Sequence, residues 1–382
     1  MKYYIIAGEA SGDFHGANLI KGLKKVDKEA GFRLWGGDLM EKEGDALVRN
    51  YRDLAFMGYV EVLLNIRKIK RNLDFCKEDI INYSPDLIIL IDYPGFNLKI
   101  AQHANEHGIK VFYYISPKVW AWKEKRVKTI KKYVDRMFSI LPFETEYYKK
   151  FGYHVEYEGN PVVDAVHQAE EEMMKRSEFL SANQIPDKPI IALIPGSRKQ
   201  EIKYNLPVML DMIPSYPDHQ FLIACSPMIN RNDYSRYIRG YDVKLLYNQT
   251  YPIMRYADAA IVTSGTATLE AGLLKVPQVV CYFGNPLGMV IAYFLVHIKF
   301  ISLVNLILDK EAVKELVQYK LSRKSLKREL DKLLFDNHHR KILENDYDEL
   351  HERVGLPGVS ERVAKRMFEL VNKHVVLKSK SL

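Results

Sequence analysis

Ala259–Glu270, A-A-I-V-T-S-G-T-A-T-L-E, runs from a short apolar strand into a helix through small, hydroxyl-bearing residues. An uninterrupted apolar run of this length fits a strand covered on both faces, as in a parallel sheet. Thr263, Ser264 or Thr266 can cap the helix, and Gly265 lets backbone come close to an anion. The free N–H groups and positive dipole end of the helix then face a phosphate. Glu270, about one turn further on, offers a carboxylate acceptor pair that suits the hydroxyls of a ribose. An ordinary capped helix reads the same way, so this stretch alone leaves both readings open.

Ile190–Arg198, I-I-A-L-I-P-G-S-R, repeats the design. An apolar strand ends in a turn where Gly196 and Ser197 can expose backbone donors and Arg198 supplies a planar cation able to fork onto a diphosphate. Arg198 can also serve as a structural ion-pair residue. Two anion-shaped strand ends in one half of the chain favour nucleotide binding.

The N-terminus differs in kind. Tyr3–Ala7 reads as a strand, and Gly8-Glu9-Ala10-Ser11-Gly12-Asp13 turns into a helix with apolar positions at Ala17, Leu19, Ile20 and Leu23. The turn lacks G-x-G-x-x-G spacing and the Gly-Lys-Ser/Thr ending of a P-loop. Its carboxylates would repel a phosphate but suit sugar hydroxyls or proton transfer.

A strand–helix rhythm runs through the whole chain. Leu87–Ile91, Val111–Ile115 and Met137–Leu141 continue the first half as strands. Gln220–Ala224, Val243–Leu246 and Gln278–Tyr282 accompany Ile190–Ile194 and Ala259–Val262 in the second. This predicts an α/β protein of two doubly wound, Rossmann-like domains whose strand C-termini face a common cleft, where such sheets bind ligands. Gly159-Asn160-Pro161 and the polar segment after it mark the boundary. The expected division is 1–167, 168–345 and a helical extension 346–382 that can pack back on the first domain. In the first domain the cleft candidates are Glu9, Ser11, Asp13 and Asp92. Asp92 ends a buried strand, so desolvation raises its pKa toward that of a general base; loop capping is the plainer alternative. Trp120 and Trp122, after Ser116-Pro117, can pack a lid or anchor the core.

With 382 residues, 47% hydrophobic and 27% charged, the chain is long enough for two cores and is not disordered. Cys76, Cys225 and Cys281 are widely spaced, without metal-site spacing, and point to buried thiols in a reducing compartment. No signal-peptide pattern precedes the first strand, and Met289–Leu308 is interrupted by His297, Lys299, Ser302 and Asn305, so a cytoplasmic location is expected. The net charge of +8 permits a nucleic acid or an anionic membrane as partner. The apolar stretch Met57–Ile66, with Met57, Val60, Val62, Leu63 and Ile66, precedes Lys68, Lys70 and Arg71. That combination suits an acyl chain at a bilayer interface, although a solvated basic face beside a core helix fits equally. The cations of Lys123–Arg136 carry the same ambiguity.

These motifs occur together and in order: Gly8–Asp13, Met57-Gly58 with Glu61-Val62, Asp92-Tyr93-Pro94-Gly95-Phe96-Asn97, Ser116-Pro117 with Val119-Trp120-Ala121-Trp122, Leu141-Pro142-Phe143-Glu144, Pro195–Arg198 and Ser264–Glu270. As a set, continued by Ser302–Leu306 and Val313–Leu316, the chain resembles the lipid-A-disaccharide synthases, glycosyltransferases of lipopolysaccharide assembly. The resemblance spans roughly residues 3 to 320. It implies a GT-B fold. It further implies inverting transfer of 2,3-diacylglucosamine from UDP-2,3-diacylglucosamine to 2,3-diacylglucosamine 1-phosphate, at the cytoplasmic face of the inner membrane, with neither metal nor cofactor.

Family positions carry over onto Asp92, Arg198, Glu270 and Asn305. In this reading Asp92 is the base and Glu9 the second choice. Gly196, Ser197, Arg198, Ser264, Gly265, Thr266, Ala267, Glu270 and Asn305 hold the nucleotide, and Ser11, Gly12, Asp13 and Asn97 the acceptor sugar. The Met57–Ile66 residues contact acyl chains or membrane. A homodimer has family precedent; nucleic acid is not expected. Asn160 stands where many relatives carry His, Val304 where Pro is common, and Phe283 and Asn285 where some have basic residues. The rivals are another UDP-N-acetylglucosamine enzyme, either a peptidoglycan glycosyltransferase or a 2-epimerase, and a basic scaffold that binds membrane or nucleic acid without catalysis.

Overall fold

The computed structural model describes residues 1–53, 65–121, 123–284 and 298–379, with side chains to residue 372. The chain divides into two units, Met1–Pro161 with Gly358–Leu382, and Val162–Pro357. The last helix, Val359–Ser379, therefore belongs with the first unit.

The first unit is built on a parallel sheet of seven strands: β1 (Lys2–Ala7), β2 (Gly31–Gly36), β3 (Ala46–Asn50), β4 (Leu87–Ile91), β5 (Lys110–Tyr114), β6 (Arg136–Ser139) and β7 (Val155–Tyr157), in the order β3-β2-β1-β4-β5-β6-β7. Alternation along β1 decides its two cores. Tyr3, Ile5 and Ala7 pack with Leu19, Ile20 and Leu23 of helix Ala10–Val26 and with Val363, Ala364 and Met367 of the last helix. Tyr4 and Ile6 face the other side, against Ile80, Phe96 and Ile130. A polar network closes that side: the Tyr4 hydroxyl donates to Asp79 at 2.7 Å, Arg33 of β2 donates to Asp79 at 2.8 Å, and the Trp35 indole donates to Tyr4 at 2.6 Å.

The second unit repeats the plan with six parallel strands: β8 (Ile190–Ile194), β9 (Gln220–Cys225), β10 (Val243–Tyr247), β11 (Ala259–Thr263), β12 (Gln278–Tyr282) and β13 (Lys314–Val317), in the order β10-β9-β8-β11-β12-β13. Every residue of β8, β9 and β11 is buried, which is why these strands read as continuous apolar runs.

In each sheet the order reverses beside the first strand, between β1 and β4 and between β8 and β11. Doubly wound sheets bind ligands at the carboxyl ends of strands at such a reversal, because the flanking helices leave to opposite faces and open a crevice. Cys76, Cys225 and Cys281 are free and buried. Among the described residues no helix is long and apolar enough to cross a membrane.

Candidate active site

At the first reversal Ala7 pairs with Ile91, so Gly8-Glu9 and Asp92-Tyr93 leave the sheet side by side. Asp92 (φ 43°) and Tyr93 (φ 49°) both adopt the left-handed backbone, unusual for two successive side-chain-bearing residues. Surrounding bonds hold that turn. The Asn97 amide donates to the carbonyls of Ile91 at 3.2 Å and Asp92 at 2.8 Å, the Tyr113 hydroxyl donates to the Asp92 carbonyl, and the Asp92 N–H donates to Tyr114 at 3.1 Å. The Tyr93 ring lies over Gly8, where any Cβ would collide with it. Burial and the neighbouring Glu9 carboxylate push the Asp92 carboxyl up to about 6, with Lys118 opposing them. A carboxylate poised there accepts a proton near neutral pH.

Glu9 is half-buried at the start of helix Ala10–Val26, where its side chain makes no cap bond. Ser11 is exposed on the same turn, and Gly12 is buried. Asp13, expected at the acceptor sugar, is engaged within its own unit. Its carboxylate, 3% exposed, accepts from the N–H groups of Gly37 at 2.7 Å, Leu39 at 3.2 Å and Met40 at 3.0 Å, capping helix Asp38–Glu43. Asn97 likewise serves the Asp92 turn from a fully buried position.

At the second reversal Ile194 pairs with Val262, bringing Pro195–Arg198 beside Ser264–Ala267. Gly196 takes φ +103°, open to glycine at little cost. Gly265, rather than any of the three hydroxyl residues expected, is the N-cap of helix Thr266–Leu273, and no side chain caps it. Ser264 instead donates its hydroxyl to the Ile301 carbonyl at 2.8 Å, and Gly265 and Thr266 are exposed. The helix start thus presents its dipole to an open face. Glu270 receives the Tyr251 hydroxyl at 3.1 Å, and burial raises its pKa while that bond opposes the rise.

Three residues here received no role from the sequence, because what each of them bonds is decided by the fold: Glu201, Tyr251 and Glu315. Glu201 accepts from the N–H groups of Ser197 at 2.9 Å and Arg198 at 3.2 Å and stands 3.8 Å from the Arg198 guanidinium. Internal carboxylate therefore occupies donors that the sequence assigned to an anion. Tyr251 orients Glu270. Glu315 accepts from the N–H groups of Ile301 at 3.0 Å and Ser302 at 2.9 Å and from Asn305 at 2.9 Å.

Asn305, read as a nucleotide contact, is fully buried. Its amide donates to Val313 and Glu315 and accepts from the Val313 N–H. With both donors spent inside the protein, it pins the segment to which Ser264 is bonded.

Met57, Val60, Val62, Leu63, Trp122 and Asn285 lie outside the described residues. Ile66 opens helix Ile66–Tyr83 with 58% of its surface exposed, and Lys68, Lys70 and Arg71 are exposed beside it.

The model of the family described as lipid-A-disaccharide synthetase matches residues 3–365. The chain belongs to this family. Proteins named lipid-A-disaccharide synthase are similar to it throughout: that of Geobacter sulfurreducens is 36% identical over 97% of both chains, and that of Syntrophus aciditrophicus 38% identical over 97% of both. Among solved structures, the UDP-GlcNAc 2-epimerase of Neisseria meningitidis bound to UDP-GlcNAc superposes with a TM-score of 0.68 at 14% identity, covering 97% of this chain and 100% of that one. The glycotransferase of kitacinnamycin does so with a TM-score of 0.61 at 12% identity, covering 97% and 99%. These neighbours show the fold, GT-B. Lipid-A-disaccharide synthetases are glycosyltransferases of lipid A biosynthesis.

Proposed function

We propose that the chain transfers 2,3-diacylglucosamine from UDP-2,3-diacylglucosamine to the 6-hydroxyl of 2,3-diacylglucosamine 1-phosphate, with inversion, releasing UDP. The observation that carries this reading is the half-buried Asp92 carboxyl, pushed up to about 6 beside Glu9 at the first reversal. Asp92 takes the proton of the acceptor hydroxyl as its oxygen attacks the sugar's anomeric carbon. The bond from that carbon to the diphosphate breaks, and its electrons leave on UDP. Arg198 and the open helix start at Gly265–Ala267 stabilise the departing charge, which lets the step proceed without a metal. Glu270, held by Tyr251, takes the ribose hydroxyls. One in-line displacement turns an α-linked donor into a β-1,6 disaccharide, so no covalent nucleophile is required.

Ile66 and the cations after it favour contact with an anionic lipid surface, in keeping with substrates drawn from the inner membrane. The test is turnover of the two acylated substrates in detergent micelles with EDTA present, wild type against Asp92→Ala. Disaccharide from the wild type alone supports the reading. UDP binding without disaccharide, or equal turnover of unacylated UDP-N-acetylglucosamine, supports instead another UDP-N-acetylglucosamine enzyme on the same fold, a peptidoglycan glycosyltransferase or a 2-epimerase.

A further inference from the structure

Leu141-Pro142-Phe143-Glu144 and Ser116-Pro117-Lys118-Val119-Trp120 neither hold nucleotide nor move a proton in the reading above, yet they meet. Glu144 is 1% exposed, in the first turn of helix Phe143–Lys149. Its carboxylate accepts from the Trp120 indole at 3.0 Å and from the Leu141 N–H at 3.3 Å, with Phe143 edge-on to the Trp120 ring. Burial pushes this carboxyl up to about 7, while Trp120, Leu141, Ser116 and Ile140 oppose the rise as donors. An internal carboxyl is costly, and whether charged or protonated it keeps an oxygen that accepts the indole N–H.

What the bond secures is a strained loop. It begins at Ile115, a β-branched residue at φ 65°. Such a conformation persists only where its surroundings over-determine it. The ties are the Ile115 N–H to Phe138 at 3.0 Å, Ser116 to the Tyr148 hydroxyl at 2.9 Å, and Trp120 to Glu144. Pro117 and Val119 are buried, and Lys118 between them is exposed. β4 pairs with β5 up to Ile91 and Tyr114, so this loop emerges beside Asp92, and the Lys118 charge acts on that carboxyl against Glu9. Tyr93 and Tyr113 are the other titratable groups at the turn.

We propose that Glu144 is a positioning residue for the transfer reaction: by holding the Trp120 indole it fixes the Ser116–Trp120 loop and keeps Lys118 at the Asp92 turn. This rests on Asp92 being the base. The experiment measures the pH profile of kcat/KM, the affinity for UDP and the melting temperature for wild type, Glu144→Ala, Glu144→Gln, Trp120→Phe, Lys118→Met and the Glu144→Ala/Lys118→Met pair.

Glu144→Ala is expected to lower kcat roughly tenfold to a hundredfold and to move the acid limb to higher pH, with UDP affinity unchanged. Glu144→Gln restores most of the rate, since its amide oxygen still accepts the indole N–H. Lys118→Met reproduces the limb shift without loss of thermal stability, and adding Glu144→Ala moves the limb no further. If Glu144→Ala does not fold, Trp120→Phe and Lys118→Met decide: unshifted limbs in both overturn the role. An unshifted limb in a folded Glu144→Ala does the same. No disaccharide from the wild type overturns the proposed function itself, and this role with it.

Discussion

The two sheet reversals share one topology and carry opposite chemistry. Where β1 meets β4, carboxylates gather, and the turn is made by Asp92 and Tyr93 in the left-handed region. Where β8 meets β11, a glycine takes the positive φ, a guanidinium stands at the turn, and a helix start is left without a side-chain cap. A doubly wound sheet supplies a crevice; the residues that leave it decide whether the crevice attracts a proton or an anion.

The broadest way to break this contrast is Asp92→Asn. If the first reversal is the proton acceptor, turnover falls by roughly 10²–10⁴-fold, while UDP affinity, measured by calorimetry, stays within about twofold. Loss of UDP binding would merge the two sites. Arg198→Ala tests the other half. Its guanidinium is more than half exposed, so the expected loss of UDP affinity is only about tenfold, with no change in the pH at which activity fails.

A sharper test is pH. Asp92 is raised by burial and by Glu9, so its base form is lost as pH falls through about 6, and kcat/KM should decline there. Glu9→Gln removes the like charge and should move that limb to lower pH. An unmoved limb would separate Glu9 from Asp92.

The smallest effect is on stability, and its sign is unusual. The folded-state pKa of Asp92 is raised, so between about pH 4 and 6 the folded protein binds the extra proton. Stability then falls as pH rises through that window. Asp92→Asn should melt roughly 2–4 °C above wild type near neutral pH, with the gap closing toward pH 4.

How far the sequence carried these conclusions differed between strands and side chains. β1, β4, β8, β9, β11 and β12 were legible because burial on both faces leaves unbroken apolar runs. β2, β3, β7 and β13 were not. They are short or partly exposed and carry Arg33, Arg49, Glu156 and Lys314, whose partners lie elsewhere in the chain or in solvent.

Both candidate loops could be picked out from strand ends and turn residues, and the sheet order sets each beside its neighbour. The use of each polar side chain was not legible. Asp13 and Asn305 have the chemistry of ligand contacts, yet Asp13 is bonded to backbone N–H groups more than twenty residues away and Asn305 to Val313 and Glu315 of its own neighbourhood. Glu201 hides three residues past a motif, in a capping box that reads like any helix start.

One consequence of the first unit's construction belongs to its synthesis. Its β-sheet is complete by Tyr157, but the face bearing Leu19, Ile20 and Leu23 is closed by Val363, Ala364 and Met367, which the ribosome makes only after all of Val162–Pro357. At typical elongation rates the nascent first unit waits roughly 10–40 s with that apolar face uncovered. The second unit, contiguous in the chain, can finish folding before the first. Chaperone demand and misfolding should therefore concentrate on the unit that is started first and completed last.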